Sequence, residues 1–193
     1  MPGNNDIDAK YSWQFAGVGS GEGVTINDIE YSWNINHEDL DPTIPTIVNA
    51  GDSINDPWSD TGHRTGVLGK MIGAYNGIGV QGISDMAKAK VVPESAWMGH
   101  NRANAIIRAV NDGKPGDVIL LKMQARACGV NYGPTEDDLS VFEATKVAVA
   151  IGMVVVAAAG NGNVNHDGAN CGGKYNWNIR DSGAIIVGAG GST

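Results

Sequence analysis

The sequence is short of cysteine, of positive charge and of long apolar runs, and each shortage removes a class of protein. Its two cysteines, Cys128 and Cys171, are too few for a disulfide framework and lack the C-x-x-C spacing of a zinc site. They either pair once or are both free. The 13 basic residues are scattered and outnumbered by 21 acidic ones, which argues against nucleic acid as a partner. No apolar stretch approaches the roughly 18 residues that cross a bilayer, so no membrane partner is expected.

What remains is the composition of an ordinary globular domain. Hydrophobic residues make up 42% of the chain and charged residues 18%, which excludes a disordered segment. The 28 glycines against 7 prolines indicate tight turns rather than a helical bundle. The polar N-terminus, MPGNND, shows no signal peptide. With no repeat and no linker, residues 1–193 are interpreted as a single domain.

Apolar strands alternate with helices along the chain. Hydrophobic periodicity predicts helices at 101–111 and from about 139 to 150, and strands at 24–29, 90–92, 117–123, 153–159 and 184–187. The residues TEDD at 135–138 indicate a capping box before the second helix, and Gly152 its C-cap. Strands that are apolar on both faces and alternate with helices are typical of an α/β domain with a parallel sheet.

Three loops that follow strands, or open a helix, carry candidate functional residues. Asp28 and Glu30 close the first strand and point to the same face of it. His63 opens a helix of small and apolar residues, and Gly160 and Asn161 end the strand at 153–159. Taken one at a time, each has an ordinary explanation: solvated acids, a structural histidine and a turn. In a parallel sheet, however, chemistry gathers in the loops at the carboxyl ends of strands.

In this order the motifs resemble those of the subtilisin-like serine protease family (peptidase S8). VTINDIE (24–30) followed by HEDL (37–40) is similar to the acid strand and H-x-D-L turn of the family. HRTGVLG (63–69) followed by NGIGVQGI (76–83) resembles the histidine helix and its loop, and AAAGN (157–161) the A-A-G-N motif. The resemblance covers most of the chain, as the N-terminal part of a catalytic domain. It implies a three-layer α/β/α fold with a mostly parallel sheet, truncated at the C-terminus.

The resemblance implies a serine endopeptidase that hydrolyses the peptide bonds of a polypeptide substrate, with no cofactor needed for the chemistry. His63 would be the general base, an acid would orient its imidazole, and the Asn161 amide would hold the oxyanion. Counted back from His37, the acid is Glu30, where aspartate is usual. Asp28 stays open as the alternative, because it would require a two-residue slip. The residues that would contact substrate are Met123, Gln124, Ala125 and Gly160.

The resemblance further implies a calcium site and secretion. Asp39, Asn76 and the carbonyls of Ala74, Ile78 and Val80 fall where the family often binds calcium. A carboxylate, an amide and backbone oxygens suit this hard cation. A plain glycine-rich turn is an equally open interpretation. Most bacterial members of the family are exported, so a secreted or extracellular location is expected.

The chain departs from the family in three places. Arg64 follows His63 where the family has glycine, and a carboxylate such as Asp60 would have to pair with it. Gln124, Ala125 and Arg126 replace a small pocket rim. No G-T-S-x-A-x-P segment occurs, and Ser192 has no helix after it. Two hypotheses follow: a C-terminal segment supplies the serine, or the chain is an inactive module that binds peptides or a partner. Exposed apolar surface and marginal stability are predicted in both cases.

Overall fold

A computed structural model describes residues 9–15, 19–41, 45–48, 54, 56–96 and 99–190. Its helices are α1 (Ala9–Ser12), α2 (Thr61–Ile72), α3 (Arg102–Asp112) and α4 (Leu139–Ala150). Its strands are β1 (Thr25–Glu30), β2 (Thr46–Ile47), β3 (Lys88–Pro93), β4 (Ser95–Ala96), β5 (Gly99–His100), β6 (Val118–Leu121), β7 (Gln124–Ala127), β8 (Val130–Pro134), β9 (Val154–Ala158) and β10 (Ile185–Val187). Within these described residues, no helix is long and apolar enough to cross a membrane.

Six of the strands form one parallel sheet. Their order is β10-β9-β6-β1-β3-β2, and each neighbouring pair runs parallel. The strand pairs β4–β5 and β7–β8 are separate antiparallel ribbons. The predicted α/β fold with a mostly parallel sheet is therefore confirmed. In this sheet β1 is central, so its carboxyl end at Glu30 lies between the ends of β3 and β6.

One face of the sheet is fully packed. Ile29, Ile119 and Leu121 point to this face and are completely buried. They join a cluster with α3 and α4, to which Ile106 and Val141 contribute. These two helices form the layer over the middle strands, and removing such apolar area from water is the main stabilising term of the fold.

On the opposite face, the buried residues of the described strands lie in β1 and β3, and the partly buried Ile47 of β2 and Val118 of β6 pack against them. There Ile26 and Val91 meet Leu68 and Ile72 of α2. Farther along the same face, Val154, Ile185 and Val187 are 44%, 55% and 51% exposed. This is the exposed apolar surface that the sequence predicts.

The ends of α4 differ in detail from the sequence prediction. Asp138 is the N-cap, accepting a hydrogen bond from the Ser140 backbone N–H at 2.8 Å. Thr135–Asp137 forms a separate 3₁₀ turn instead of a capping box. The reason is that Asp138 has an extended backbone and itself occupies the N-cap, so it cannot serve as the third helical residue of a box that opens at Thr135. Ile151 is the C-cap, and Gly152 follows it with a φ of 92°.

A long excursion joins β9 to β10 and is fastened to the β7–β8 hairpin. Cys128 and Cys171 form a disulfide across 43 residues, which resolves the two alternatives left by the sequence. The Asn170 side chain donates to the Cys128 carbonyl oxygen at 2.8 Å. Lys174 pairs with Asp137 at 2.8 Å. The middle of this connection is therefore fixed to the hairpin and to the turn that follows it.

Candidate functional site

Glu30 ends β1 as a buried carboxylate with two partners. Its Oε2 accepts hydrogen bonds from the Tyr31 backbone N–H and from Arg64 Nε, each at 3.1 Å. The side chains of Arg64 and Glu30 are 8% and 9% exposed, so water screens this ion pair little. Arg64 Nη1 lies 3.2 Å from Asp56 Oδ2. The guanidinium that follows His63 thus bridges two carboxylates.

Asp28 lies on the same face of β1, as predicted, but deeper. It is fully buried, and its Oδ2 accepts from Trp33 Nε1 at 2.8 Å and from Lys122 Nζ at 3.0 Å. Its Oδ1 has no hydrogen-bond partner among the described residues. Burial raises the pKa of the Asp28 carboxyl, and the positive charge of Lys122 opposes that rise. The contacts of Asp28 are those of a structural carboxylate paired with a lysine.

His63 lies in the first turn of α2, as the sequence predicts. Asp60 caps the helix by accepting from the His63 backbone N–H at 3.3 Å. The residue is exposed, so its imidazole is accessible from solvent. Among the described residues, no hydrogen bond joins the imidazole to Glu30 or to Asp28. The structure brings the predicted base and acids to one end of the sheet without joining them.

Asn161 follows the carboxyl end of β9 in a turn that is held by the β7–β8 hairpin. Its backbone N–H donates to Gln124 Oε1 at 2.6 Å, and Gly162 N–H donates to the Tyr132 carbonyl at 2.7 Å. Gly160 has a φ of 88°, and a Cβ there would lie 2.3 Å from the Tyr132 carbonyl oxygen. Only glycine fits that position. The Asn161 residue is exposed, which leaves its amide accessible to a ligand.

The predicted substrate-contacting residues occupy different environments. Gln124 and Ala125 lie in β7, paired with Pro134 and Gly133, and both are partly exposed. Met123 is 4% exposed and packs in the cluster beneath α3 and α4. The structure thus joins Gln124 to Asn161 and keeps the Met123 side chain inside the core.

The loop after α2 wraps around Asp39. The Asp39 backbone oxygen accepts from Ala74 N–H at 2.7 Å, and its Oδ2 accepts from Val80 N–H at 3.4 Å. Its Oδ1 is buried without a partner among the described residues. A Cβ at Gly79 would fall 1.9 Å from that Oδ1. An unpaired carboxylate oxygen inside a glycine-rich loop fits the chemistry of a hard cation.

Asn76, another predicted calcium ligand, already uses both ends of its side-chain amide in hydrogen bonds. Asn76 Oδ1 accepts from Ile78 N–H at 3.1 Å, and Asn76 Nδ2 donates to the Glu38 carbonyl oxygen at 2.9 Å. No cluster of three or more His, Cys, Asp or Glu side chains suited to a metal occurs in the described part of the chain. A cation at this loop would depend on Asp39 and on backbone and amide oxygens. A cavity of about 280 Å³ lined by His37, Asp39 and Thr65 adjoins the loop.

Two cations organise this end of the sheet, and the sequence analysis identified the actual partners of neither. It expected Arg64 to pair with an acid such as Asp60, whereas the guanidinium pairs with Glu30 and Asp56 and donates to the Asp60 backbone oxygen. It assigned no partner to Lys122, which pairs with Asp28. A signal was present, because an aspartate inside a buried strand needs a counter-charge. Lys122 directly follows the apolar run of β6, which is the strand beside β1.

Comparison with solved structures shows where the fold belongs. The self-cleaved protease domain of PatA matches with a TM-score of 0.52 and 21% identity, over 75% of this chain and 52% of that one. MycP1 without its N-terminal propeptide gives 0.52 and 19%, over 77% and 45%. The serine protease of Aeromonas sobria gives 0.51 and 20%, over 74% and 26%.

The chain thus spans about half the length of the PatA domain, and less of the other two. No family model and no curated protein matches the sequence. At these identities the likeness concerns the fold. The order of the strands, the placement of the helices and the match to these protease structures show that the chain has a subtilisin-like α/β fold.

Proposed function

We propose that this chain forms part of a serine endopeptidase, in which His63 is the general base and the nucleophilic serine comes from a further polypeptide segment. The serine hydroxyl would attack the peptide carbonyl while His63 takes its proton and then gives it to the leaving amine. Water would hydrolyse the acyl-enzyme in the same way. The observation that carries the proposal is the exposed imidazole of His63 at the start of α2, near the carboxyl end of β1, in a fold shared with protease domains.

Glu30 is proposed as the acid that orients His63 and stabilises its charged form. Its support over Asp28 is position, because Asp28 lies fully buried within β1 on Trp33 and Lys122, whereas Glu30 contacts the residue that follows His63. Glu30 lies at the very end of the strand. One extra methylene gives it the longer reach, at the cost of one more rotatable bond.

Asn161 is proposed as the oxyanion donor. Support comes from its exposed position in a turn fastened by Gln124 and Tyr132, because a preorganised donor is worth more than a mobile one. Gln124, Ala125 and Gly160 line the same turn and hairpin, where a substrate backbone would run. Met123 would contribute through its backbone, since its side chain is in the core.

The test is peptide hydrolysis by the protein purified from its source, carrying single substitutions. We expect His63→Ala to lower turnover by about 10⁴-fold or more. Asn161→Ala should lower turnover by about 10²–10³-fold with KM little changed, because the oxyanion forms only in the transition state. His166→Ala and Asn131→Ala are the matched controls, and turnover should not change in them. Equal losses in a variant and its control would refute the assigned roles.

We also propose a calcium ion at the Asp39 loop, held by Asp39, Asn76 and the carbonyl oxygens of Ala74, Ile78 and Val80. When bound, the ion would stabilise the loop that follows α2, with no part in the chemistry. Calcium should raise the melting temperature in proportion to the logarithm of its concentration above Kd, and Asp39→Asn should abolish the rise. A melting temperature that does not respond to calcium would exclude the site.

A secreted or extracellular location is proposed with these functions. The Cys128–Cys171 disulfide supports it, because disulfides persist in oxidising compartments. Alkylation of the protein from its source without reductant should leave both cysteines unmodified. Two modified cysteines would contradict the location.

A second candidate function is an inactive module that binds peptides or a partner. The Glu30–Arg64 ion pair favours it, since that contact engages the acid which a protease would use. A fluorophosphonate probe separates the two candidates, because it reacts only with an activated serine.

A further inference from the structure

Arg64 occupies the space between Glu30 and the segment that precedes α2. Its Nε lies 3.1 Å from Glu30 Oε2, and its Nη1 lies 3.2 Å from Asp56 Oδ2. Nη1 also donates to the Asp60 carbonyl oxygen. The Tyr31 ring covers the guanidinium, with its centroid 5.3 Å from Arg64 Cζ. A planar, permanently charged group with this many contacts has little freedom to move.

These contacts engage Glu30 strongly. Charge-assisted hydrogen bonds between nearly dry groups are about twice as strong as neutral ones. A second donor, the Tyr31 backbone N–H, binds the same oxygen at 3.1 Å. Glu30 is therefore fixed in an orientation that is set by Arg64.

His63 and Arg64 are consecutive residues of α2, so their side chains leave the helix about 100° apart. Arg64 is buried and points to Glu30, whereas His63 is exposed. In the described residues, no hydrogen bond connects the His63 imidazole with Glu30. From helix α2, the Arg64 guanidinium donates to Glu30 and the His63 imidazole does not.

Asp56 makes an exchange of partners feasible. It is a second carboxylate on Arg64, and it is itself held by the Ser32 hydroxyl and by the Trp58 backbone N–H at 3.0 Å. If Glu30 left the guanidinium, Arg64 would keep Asp56 as its counter-charge. Leaving a buried cation unpaired would be far more costly.

We propose that Arg64 is a positioning residue that holds the Glu30 carboxylate away from His63, so that the two are uncoupled until Glu30 exchanges Arg64 for the imidazole. This inference rests on the proposed function, in which Glu30 and His63 act together. It adds a resting state that Arg64 maintains. Activation would then consist of moving one hydrogen bond of Glu30 from Arg64 to His63.

The experiment uses the 193-residue chain labelled with ¹⁵N in its histidines. Two-bond ¹H–¹⁵N correlation spectra report which ring nitrogen of His63 carries the proton, and Glu30 as acceptor would favour the proton on Nδ1. The set comprises wild type, Glu30→Gln, Arg64→Gln and the double variant. Arg102→Gln is the matched control, because it removes a guanidinium from another buried carboxylate, Glu94.

In the wild-type background we expect Glu30→Gln to leave the His63 tautomer unchanged. Arg64→Gln should shift the proton to Nδ1, the double variant should reverse that shift, and Arg102→Gln should have no effect. A change in Glu30→Gln alone would overturn the proposal, as would a folded Arg64→Gln chain with the wild-type tautomer.

If Arg64→Gln does not fold, Arg64→Lys takes its place, because it keeps the cation and loses the forked contact. A shift to Nδ1 that depends on Glu30 then supports the proposal, and its absence overturns it. The spectra need no serine and no turnover. If the proposed function is wrong, the protein from its source will not react with the fluorophosphonate probe. If this inference is wrong, the His63 tautomer will be the same in Arg64→Gln as in wild type.

Discussion

The two faces of the sheet are stabilised in different ways. On the α3–α4 face, Ile29, Ile119 and Leu121 are buried without exception in an apolar cluster. On the α2 face, apolar packing covers β1 and β3, and the carboxyl end of the sheet holds the ion pairs Glu30–Arg64 and Asp28–Lys122. The first face supports the fold, whereas the second carries the groups that are proposed for the chemistry.

The difference is physical, because apolar burial is non-directional and tolerates many sequences. A buried ion pair needs exact partners and contributes little net stability, since desolvation offsets most of its attraction. Charged groups kept inside at that cost indicate a function or a specific local structure.

Two isoleucines on opposite faces of the sheet, Ile119 in β6 and Ile185 in β10, give the strongest test of this comparison. Ile119→Ala, on the packed face, should lower the free energy of unfolding by about 2–5 kcal/mol through lost burial and a cavity. Ile185→Ala, on a side chain that is 55% exposed, should change it by about 0.5 kcal/mol or less. Urea denaturation measures both. Similar losses would show that the second face is covered in solution.

A second test compares the buried Glu30–Arg64 ion pair with an exposed ion pair. Glu30→Gln should destabilise the chain by about 1.5–3 kcal/mol, because the buried guanidinium loses a charge-assisted hydrogen bond but keeps Asp56 as its counter-charge. The control is Glu143→Gln, which breaks an exposed pair with Lys146 at 3.2 Å and should cost about 0.5 kcal/mol or less. Both values come from urea denaturation. Equal effects would mean that water reaches the Glu30 site.

The smallest effect concerns the helix caps of the packed face. Asp138→Ala removes the N-cap of α4 and should cost about 1 kcal/mol at neutral pH. The Ser140 hydroxyl, which donates to Asp138, lowers the pKa of this carboxyl. Its contribution is therefore complete above the ordinary aspartate pKa and is lost as pH falls through the lower folded-state value.

Asn101→Ala provides the matched control for this pH dependence. Asn101 caps α3 by accepting from Asn104 N–H at 2.9 Å, and an amide does not titrate in this range. Its cost should be about 1 kcal/mol at every pH. Stability measured by urea at neutral and acid pH separates the two. A cost of Asp138→Ala that stays constant on acidification would contradict the assignment.

The fold was accessible from the sequence because its signals are local. The predicted strands at 117–123 and 153–159 contain β6 and β9, and the predicted helix at 101–111 is shifted by one residue from α3. Each is an apolar run with a clear period and a glycine or proline boundary. The capping box at 135–138 was wrong because Asp138 takes the N-cap position itself, which leaves Thr135 outside the helix.

The site was accessible only in part. His63 and Glu30 could be placed at one end of the sheet from motif order. Their actual partners could not, because Arg64 has three acceptors, one at the end of β1 and two in the segment before α2. The choice among them depends on tertiary structure. Neither could the Cys128–Cys171 pairing be decided, since nothing in a 43-residue separation fixes the distance between two cysteines.

The proposed function is that this chain is part of a working serine endopeptidase. The most direct measurement is fluorophosphonate labelling of the protein purified from its source, followed by intact mass. We expect a labelled species heavier than the 20.1 kDa of the present chain, with labelling lost in His63→Ala. An unlabelled species of 20.1 kDa would refute the endopeptidase function and would make the binding module the better description.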